Sequence, residues 1–285
     1  MAKDRIADDF QYFINWYPGH MAKATRNIKE NAKLADLFVV VLDARCPISS
    51  YNEDFDDIAP QKPRLFIITK SDLMDKSKKD KINQRFKGSK ILWLDLRQRN
   101  SRKIILQEIK KLLNEKIQRD KAKGLLQPRL KSFVVGIPNA GKSSLINLVS
   151  QKSSLKVANY PGVTLKLDWV RFDEFWFLDT PGILLPKYID QEMAAKLLAI
   201  GSIKIDKHHM QTSAFIIYSL ISKYYPNKIE ELGVMPASEN AEIYGQLIEL
   251  SYKKSFLVAQ GKPDLDKTYQ FFINWAKTLT GVTYD

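Results

Sequence analysis

The sequence predicts a doubly wound α/β sheet, mostly parallel, followed by a small all-α domain. Three observations predict it: apolar runs of strand length recur through the first two thirds of the chain, the first four are nearly continuous rather than alternating, and helix-like stretches separate them. Continuous apolar strands suit burial on both faces of a sheet, and strands alternating with helices supply the covering layers. No strand pattern of comparable quality follows DTPGILLP.

The elements follow in order. Residues 21–35 repeat Met21, Ala24, Ile28 and Ala35 at helical spacing. Strands are expected at LFVVVLD (37–43), RLFIIT (64–69) and KILWLD (90–95). Residues 101–123 read as one helix with Ile105, Ile109, Leu112 and Leu113 on one face, Ser101 as its cap and Gly124 as its stop. Further strands are expected at SFVVGI (132–137), LDWVRF (167–172) and FWFLD (175–179). Amphipathic segments at 189–200, 211–225, 239–256 and 265–279 then make a helical domain, so the division is 1–185 and 186–285. Phe215, Tyr218, Tyr252, Phe256, Phe271, Phe272 and Trp275 are expected in its core rather than on a base-stacking platform.

A chain of 285 residues is long enough for two domains. Its single cysteine, Cys46, excludes an internal disulfide framework and multi-cysteine metal sites. The first twenty residues lack the apolar core of a signal peptide, and no apolar run reaches the roughly 20 residues of a membrane span. A soluble cytoplasmic protein is the expectation. The net charge of +13 is concentrated: Lys76 to Lys131 holds 19 Lys and Arg against 5 Asp and Glu, whereas Pro186 to Asp285 holds 11 of each. Such a segment is either the footprint of a phosphate-backbone binder or a well-solvated lysine surface. His208 and His209 read as surface or linker residues.

GIPNAGKSS, 136–144, fits G-x-x-x-x-G-K-[ST] between an apolar strand and a helix. Gly136, Pro138, Asn139, Ala140 and Gly141 form a loop whose backbone N–H groups turn toward phosphate oxygens. Lys142 would reach the β- and γ-phosphates, Ser143 would ligate Mg²⁺, and Ser144 continues the helix start. At the end of FWFLD, Asp179 can hold Mg²⁺ through water, and the N–H of Gly182 can sense a γ-phosphate. Thr164 in ANYPGVT could complete the Mg²⁺ shell.

Thr69-Lys70-Ser71-Asp72 ends another apolar run and reads as a base site. The Asp72 carboxylate would accept two hydrogen bonds from a guanine edge and be left unpaired by adenine, with the Lys70 stem over the base. An ATP-dependent enzyme therefore fits Asp72 poorly. The base site precedes the phosphate loop by about seventy residues, the reverse of the usual order.

WYPGHMAKA, VVVLDARCP, TKSD, GIPNAGKSS, PGVT and DTPG, in that order, resemble the circularly permuted GTPases of the ribosome biogenesis GTPase A type. The resemblance covers about residues 12–185 in motif detail, and it implies a P-loop GTPase sheet with permuted motif order, GTP and GDP as ligands, and Mg²⁺. It also implies a large-ribosomal-subunit precursor as partner, with ribosomal RNA contacted by the helical domain. That domain is charge-balanced here, so the 76–131 window is expected to supply the long-range attraction. A monomer is expected. His20 matches the family's histidine, which either orients the attacking water or fixes the N-terminal segment. Asn139 matches an asparagine that in related GTPases helps hold K⁺, and loop stabilisation is the other reading. Two departures stand out: Thr69 replaces the usual Asn, and LDLRQ, 94–98, replaces a small-residue loop that contacts the guanine oxygen. Ile183 occupies the position where many GTPases place a water-orienting glutamine.

The expectation is a GTPase that binds the particle with GTP and leaves on hydrolysis. The alternative is a nucleotide-gated RNA-binding assembly factor with negligible catalysis. The segment after Gly182 enters the helical domain within a few residues, which gives nucleotide state a covalent route to it.

Overall fold

The computed structural model describes residues 19–151, 168–183 and 191–285. The chain divides into two compact units, Tyr17–Pro186 and Lys187–Tyr284.

The first unit is a six-stranded sheet with helices on both faces. In chain order it runs α1 (Gly19–Asn31), β1 (Leu37–Asp43), β2 (Arg64–Thr69), α2 (Lys79–Arg85), β3 (Lys90–Trp93), α3 (Asn100–Leu112), α4 (Asn114–Ala122), β4 (Leu130–Val135), α5 (Lys142–Ser150), β5 (Asp168–Phe172) and β6 (Phe175–Asp179). The spatial order is β3-β2-β1-β4-β6-β5, parallel throughout except for β5, which pairs antiparallel with β6 at the edge. The strand sequence departs from the central pair β1 and β4 in opposite directions, so their carboxyl ends form the topological switch point where such sheets bind ligands.

Burial explains the continuous apolar runs. On one face Phe38, Val40, Leu42, Phe66, Ile68, Phe133 and Val135 join Ile28 of α1 and Ile82 of α2 in a single core cluster. On the other, Val39, Val41, Leu65, Ile67, Val134 and Phe177 are equally buried. There Arg102 of α3 lies over the Phe172 ring, and its Nε donates to the Val149 carbonyl of α5.

Two local expectations need correction, and one helix gave no expectation at all. Residues 101–123 form two helices, because the backbone leaves helical geometry at Leu113 (φ −103°, ψ 15°). Ser101 does not cap: it is the second residue of α3, and its hydroxyl donates to the Asp95 carbonyl at 2.8 Å. Helix α2 gave no periodic signal because Ile82 is the only apolar residue in KDKINQR. Gly124 does end α4, with φ +84°.

The second unit comprises α6 (Gln191–Ala199), α7 (Met210–Tyr224), α8 (Pro226–Glu230), α9 (Asn240–Lys253) and α10 (Leu265–Thr278). α7 is central, packing against each of the other four. Phe215, Tyr218 and Phe272 are buried as expected, and the Tyr218 hydroxyl donates to the Met235 carbonyl at 2.6 Å. Phe256, Phe271 and Trp275 are only half-buried, and Tyr252 is 53% exposed on α9. His208 and His209 sit in a short turn whose N–H groups are both capped by Asp206.

Candidate nucleotide-binding site

The site grows from the switch point. β4 ends at Val135, and Gly136 follows at φ +149° beside Val41 of β1. A Cβ built there would lie 2.3 Å from the Val41 carbonyl oxygen, so only glycine lets the chain turn this close to its neighbouring strand. Asn139 and Gly141 also have positive φ, +59° and +100°, and the loop closes into α5 at Lys142.

Lys142 is buried, and its ammonium donates to the Gly136 and Ile137 carbonyls at 3.1 and 2.9 Å. Burial pulls its pKa down to about 8, with Asp179 opposing the shift. The Ser143 hydroxyl donates to Asp179 Oδ2 at 2.9 Å. Thr180 is buried, and its hydroxyl donates to the Val134 carbonyl at 2.7 Å, pinning the end of β6 to the strand that launches the loop. Gly182 lies against the loop: a Cβ there would be 2.6 Å from both N and Cα of Pro138, and the next N–H, from Ile183, donates to the Gly136 carbonyl at 3.2 Å. Ile183 itself is buried in the core cluster.

The base half comes from β2 and β3. Lys70 has φ +56°, which turns the chain sharply after β2, and the Ser71 N–H reaches the Leu94 carbonyl at 3.3 Å. Thr69 joins the two halves: its hydroxyl donates to the Ala140 carbonyl at 2.6 Å, with the Leu42 carbonyl also in reach at 3.1 Å. The departure from asparagine therefore keeps a tie between base strand and phosphate loop. Lys70 makes a second tie, its ammonium donating to Asp43 Oδ2 at 2.6 Å and to the Asn139 carbonyl at 2.8 Å.

Asp43 is the residue that sequence reading missed. It is buried at the end of β1, and Arg45, buried as well, grips it through Nε at 2.9 Å and Nη2 at 2.8 Å. Burial alone would raise its pKa, but the Arg45 and Lys70 charges outweigh that and hold the carboxyl well below the usual carboxylate range. The available signal was a lone carboxylate closing LFVVVLD, followed two residues later by arginine.

Arg97 belongs to the LDLRQ loop, 94–98. Its guanidinium forks onto Asp95 through Nε and Nη2, both at 3.0 Å, and Nη2 also reaches Asp72 Oδ2 at 2.7 Å. Asp72 thus carries an arginine on the carboxylate expected to read a base, and that arginine is 73% exposed.

Thr69, Lys70, Ser71, Asp72, Pro138, Asn139, Ala140, Gly141, Lys142, Ser143, Ser144, Asp179 and Gly182 all belong to this one end of the sheet. Thr164 lies outside the described residues. So does the side chain of His20, whose backbone falls in the first turn of α1.

A family model described as 50S ribosome-binding GTPase matches residues 131–244. That match contains the phosphate loop and DTPG but not Thr69–Asp72, which lie upstream of it, in keeping with the permuted order. The chain is similar to ribosome biogenesis GTPase A of Bacillus licheniformis, 36% identical over 271 residues, covering 93% of this chain and 94% of that one. It is also 34% identical over 215 residues to a protein named probable ribosome biogenesis GTPase A in Mycoplasma pneumoniae, covering 75% of this chain and 76% of the other. Among solved structures, GDP-bound YlqF of Thermotoga maritima aligns with a TM-score of 0.61 at 23% identity, over 91% of this chain and 98% of that one, a likeness of fold.

Proposed function

Because the chain belongs to the ribosome biogenesis GTPase A family, we propose that this GTP hydrolase assists late assembly of the large ribosomal subunit, binding the precursor particle with GTP and leaving after hydrolysis. The observation that carries the nucleotide chemistry is the convergence of Lys142, Ser143 and Asp179 on a loop tied by Thr69 and Lys70 to Asp72. In this reading Asp72 accepts N1–H and the 2-amino group of guanine, and Lys142 exchanges its two carbonyl acceptors for phosphate oxygens.

The oxygens of Ser143 and Asp179, already 2.9 Å apart, fit a hard divalent cation. They would hold Mg²⁺, which would neutralise charge developing on the phosphates. K⁺ beside Asn139 remains a finer proposal. Gly182 would sense the γ-phosphate because its backbone is pressed against Pro138, so a shift in the loop moves it directly. The chain from there to Lys187 would carry that movement toward the helical unit.

Water activation falls to His20 or to a group supplied by the particle, since Ile183 is apolar and buried. The same observation favours a second reading, a nucleotide-gated RNA-binding factor that hardly turns over. A monomeric, cytoplasmic protein is part of the proposal. Among the described residues no helix is long and apolar enough to cross a membrane.

The deciding experiment is GTP turnover with and without purified large ribosomal subunits, in potassium and in sodium buffer. Stimulation by subunits supports the assembly GTPase, and a potassium requirement supports the Asn139 proposal. Nucleotide-dependent binding without added turnover would favour the second reading. Unchanged stimulation in His20→Ala would remove His20 from catalysis.

A further inference from the structure

The sheet carries a second constellation at the end opposite the phosphate loop. Lys131 is the second residue of β4 and Trp176 the second of β6, and the strand register sets Trp176 between Lys131 on one side and Arg171 of β5 on the other. The Arg171 guanidinium lies 4.1 Å from the centre of the Trp176 ring, Arg129 lies at 5.0 Å and the Lys131 ammonium at 5.9 Å. Arg129 and Arg171 are exposed, while Trp176 and Lys131 are half-buried. Trp169 backs the indole from the core side, edge-on to both Trp176 and Phe133.

The acids nearby have other close partners, although the charge of Lys131 also acts on Asp36. Asp36 accepts the Lys131 backbone N–H at 2.9 Å and faces Lys116 at 3.7 Å, and Glu174 pairs with Lys110 at 2.5 Å. Among the described residues no ion pair engages the side chains of Arg129, Lys131 or Arg171. Three cations gathered on one indole repel one another, and a phosphate anion placed among them would relieve that repulsion. A guanidinium over a ring spends none of its N–H donors on the ring's hydrogen-bond acceptors, and those donors can take a phosphate through paired hydrogen bonds. Lys131 and Arg171 stand on strands and Arg129 directly precedes β4, so the sheet sets where the three side chains leave the backbone.

We propose that Arg129, Lys131 and Arg171, arrayed around Trp176, form a docking site for the phosphodiester backbone of RNA, separate from the nucleotide site. The choice of RNA rests on the ribosomal partner proposed above. It is favoured by charge: the patch continues the basic window that ends at Lys131, and that window carries 19 bases against 5 acids. With its ring face covered by Arg171, Trp176 orients the cations instead of stacking on bases, so the site has no sequence preference.

The test uses Arg129→Gln with Arg171→Gln in the full chain, loaded with a non-hydrolysable GTP analogue. Binding to purified large ribosomal subunits, and to protein-free RNA extracted from them, is measured across salt concentrations. Losing two phosphate contacts should flatten the slope of log affinity against log salt by roughly 1.5 on both probes, since each contact contributes about 0.7 to 0.9. GTP affinity and unstimulated turnover should match the wild type and serve as the folding control. Wild-type slope and affinity in the variant would overturn the patch while leaving the proposed function standing. A loss on subunits but not on protein-free RNA would overturn RNA in favour of an acidic protein partner. A wild-type protein that binds neither probe in any nucleotide state would overturn both readings.

Discussion

The phosphate half and the base half of the site meet at the same end of one sheet, yet they are held by different means. The phosphate half is mostly backbone: Gly136 and Gly182 allow contacts that any Cβ would block, and Thr180 and the Ile183 N–H tie β6 to β4. The base half is mostly side chain: Lys70 spans Asp43 and Asn139, Thr69 reaches Ala140, and Arg97 rests on Asp72. Backbone packing tolerates no exchange of residue, whereas side-chain ties can be exchanged for others of equal reach. Thr69 can therefore serve where the resemblance implies an asparagine, whereas Gly136 and Gly182 admit no side chain.

That contrast breaks first at Gly136. Alanine there would place a Cβ 2.3 Å from the Val41 carbonyl at an unfavourable φ, so the variant is expected to be insoluble or unable to bind GTP, checked by expression yield and nucleotide titration. Next comes Asp43→Asn, which leaves Arg45 buried beside a neutral amide. The expected loss is about 3–5 kcal/mol in chemical denaturation, the range for breaking a buried pair from one side. The pH dependence has a definite sign: the folded-state pKa of Asp43 is depressed, so its contribution is present above the ordinary carboxyl pKa and is lost as pH falls below about 4 toward the folded value.

Thr69→Ala keeps the fold but unties the base strand from the phosphate loop. About 1 kcal/mol, or roughly fivefold in GDP affinity, is expected by calorimetry, with Thr69→Asn recovering most of it. Lys142 gives a smaller effect through its pKa of about 8. Phosphate binding needs the charged amine, so GDP affinity should fall about threefold between pH 7.5 and 8.5, with proton uptake on binding. The same depressed pKa makes its burial a cost to folding below about pH 8, relieved as pH rises toward the unfolded value. Smallest is Arg97→Ala. Its pairs are solvent-exposed, so uncovering Asp72 should speed nucleotide association only about twofold in stopped flow.

The same contrast explains what could be read from the sequence. Four central strands announced themselves by continuous apolar runs, and the phosphate loop by glycines whose role is conformational. The place of Asp72 was legible because it lies in a turn that directly follows an apolar strand. Asp43 and Arg45, like Asp95 and Arg97, pair two residues apart, but the sheet decides that Lys70 meets the first pair and Asp72 the second, and no spacing in the chain encodes that. Helix α2 stayed hidden for want of apolar residues, and the break at Leu113 falls where the apolar series ends, with only Ile117 as a large apolar residue in α4.

The claim on which the rest depends is that the end of β2 and the loop after β4 form one guanine-nucleotide site although the chain visits them in permuted order. Asp72→Asn tests it most directly, with GDP and xanthosine diphosphate titrated side by side. An amide accepts from N1–H but donates to a carbonyl at position 2. GDP affinity should therefore fall about a hundredfold while xanthosine diphosphate binds at near wild-type strength. Equal, unchanged affinities for GDP in the variant and the wild type would contradict the account, because Asp72 would then have no contact with the base.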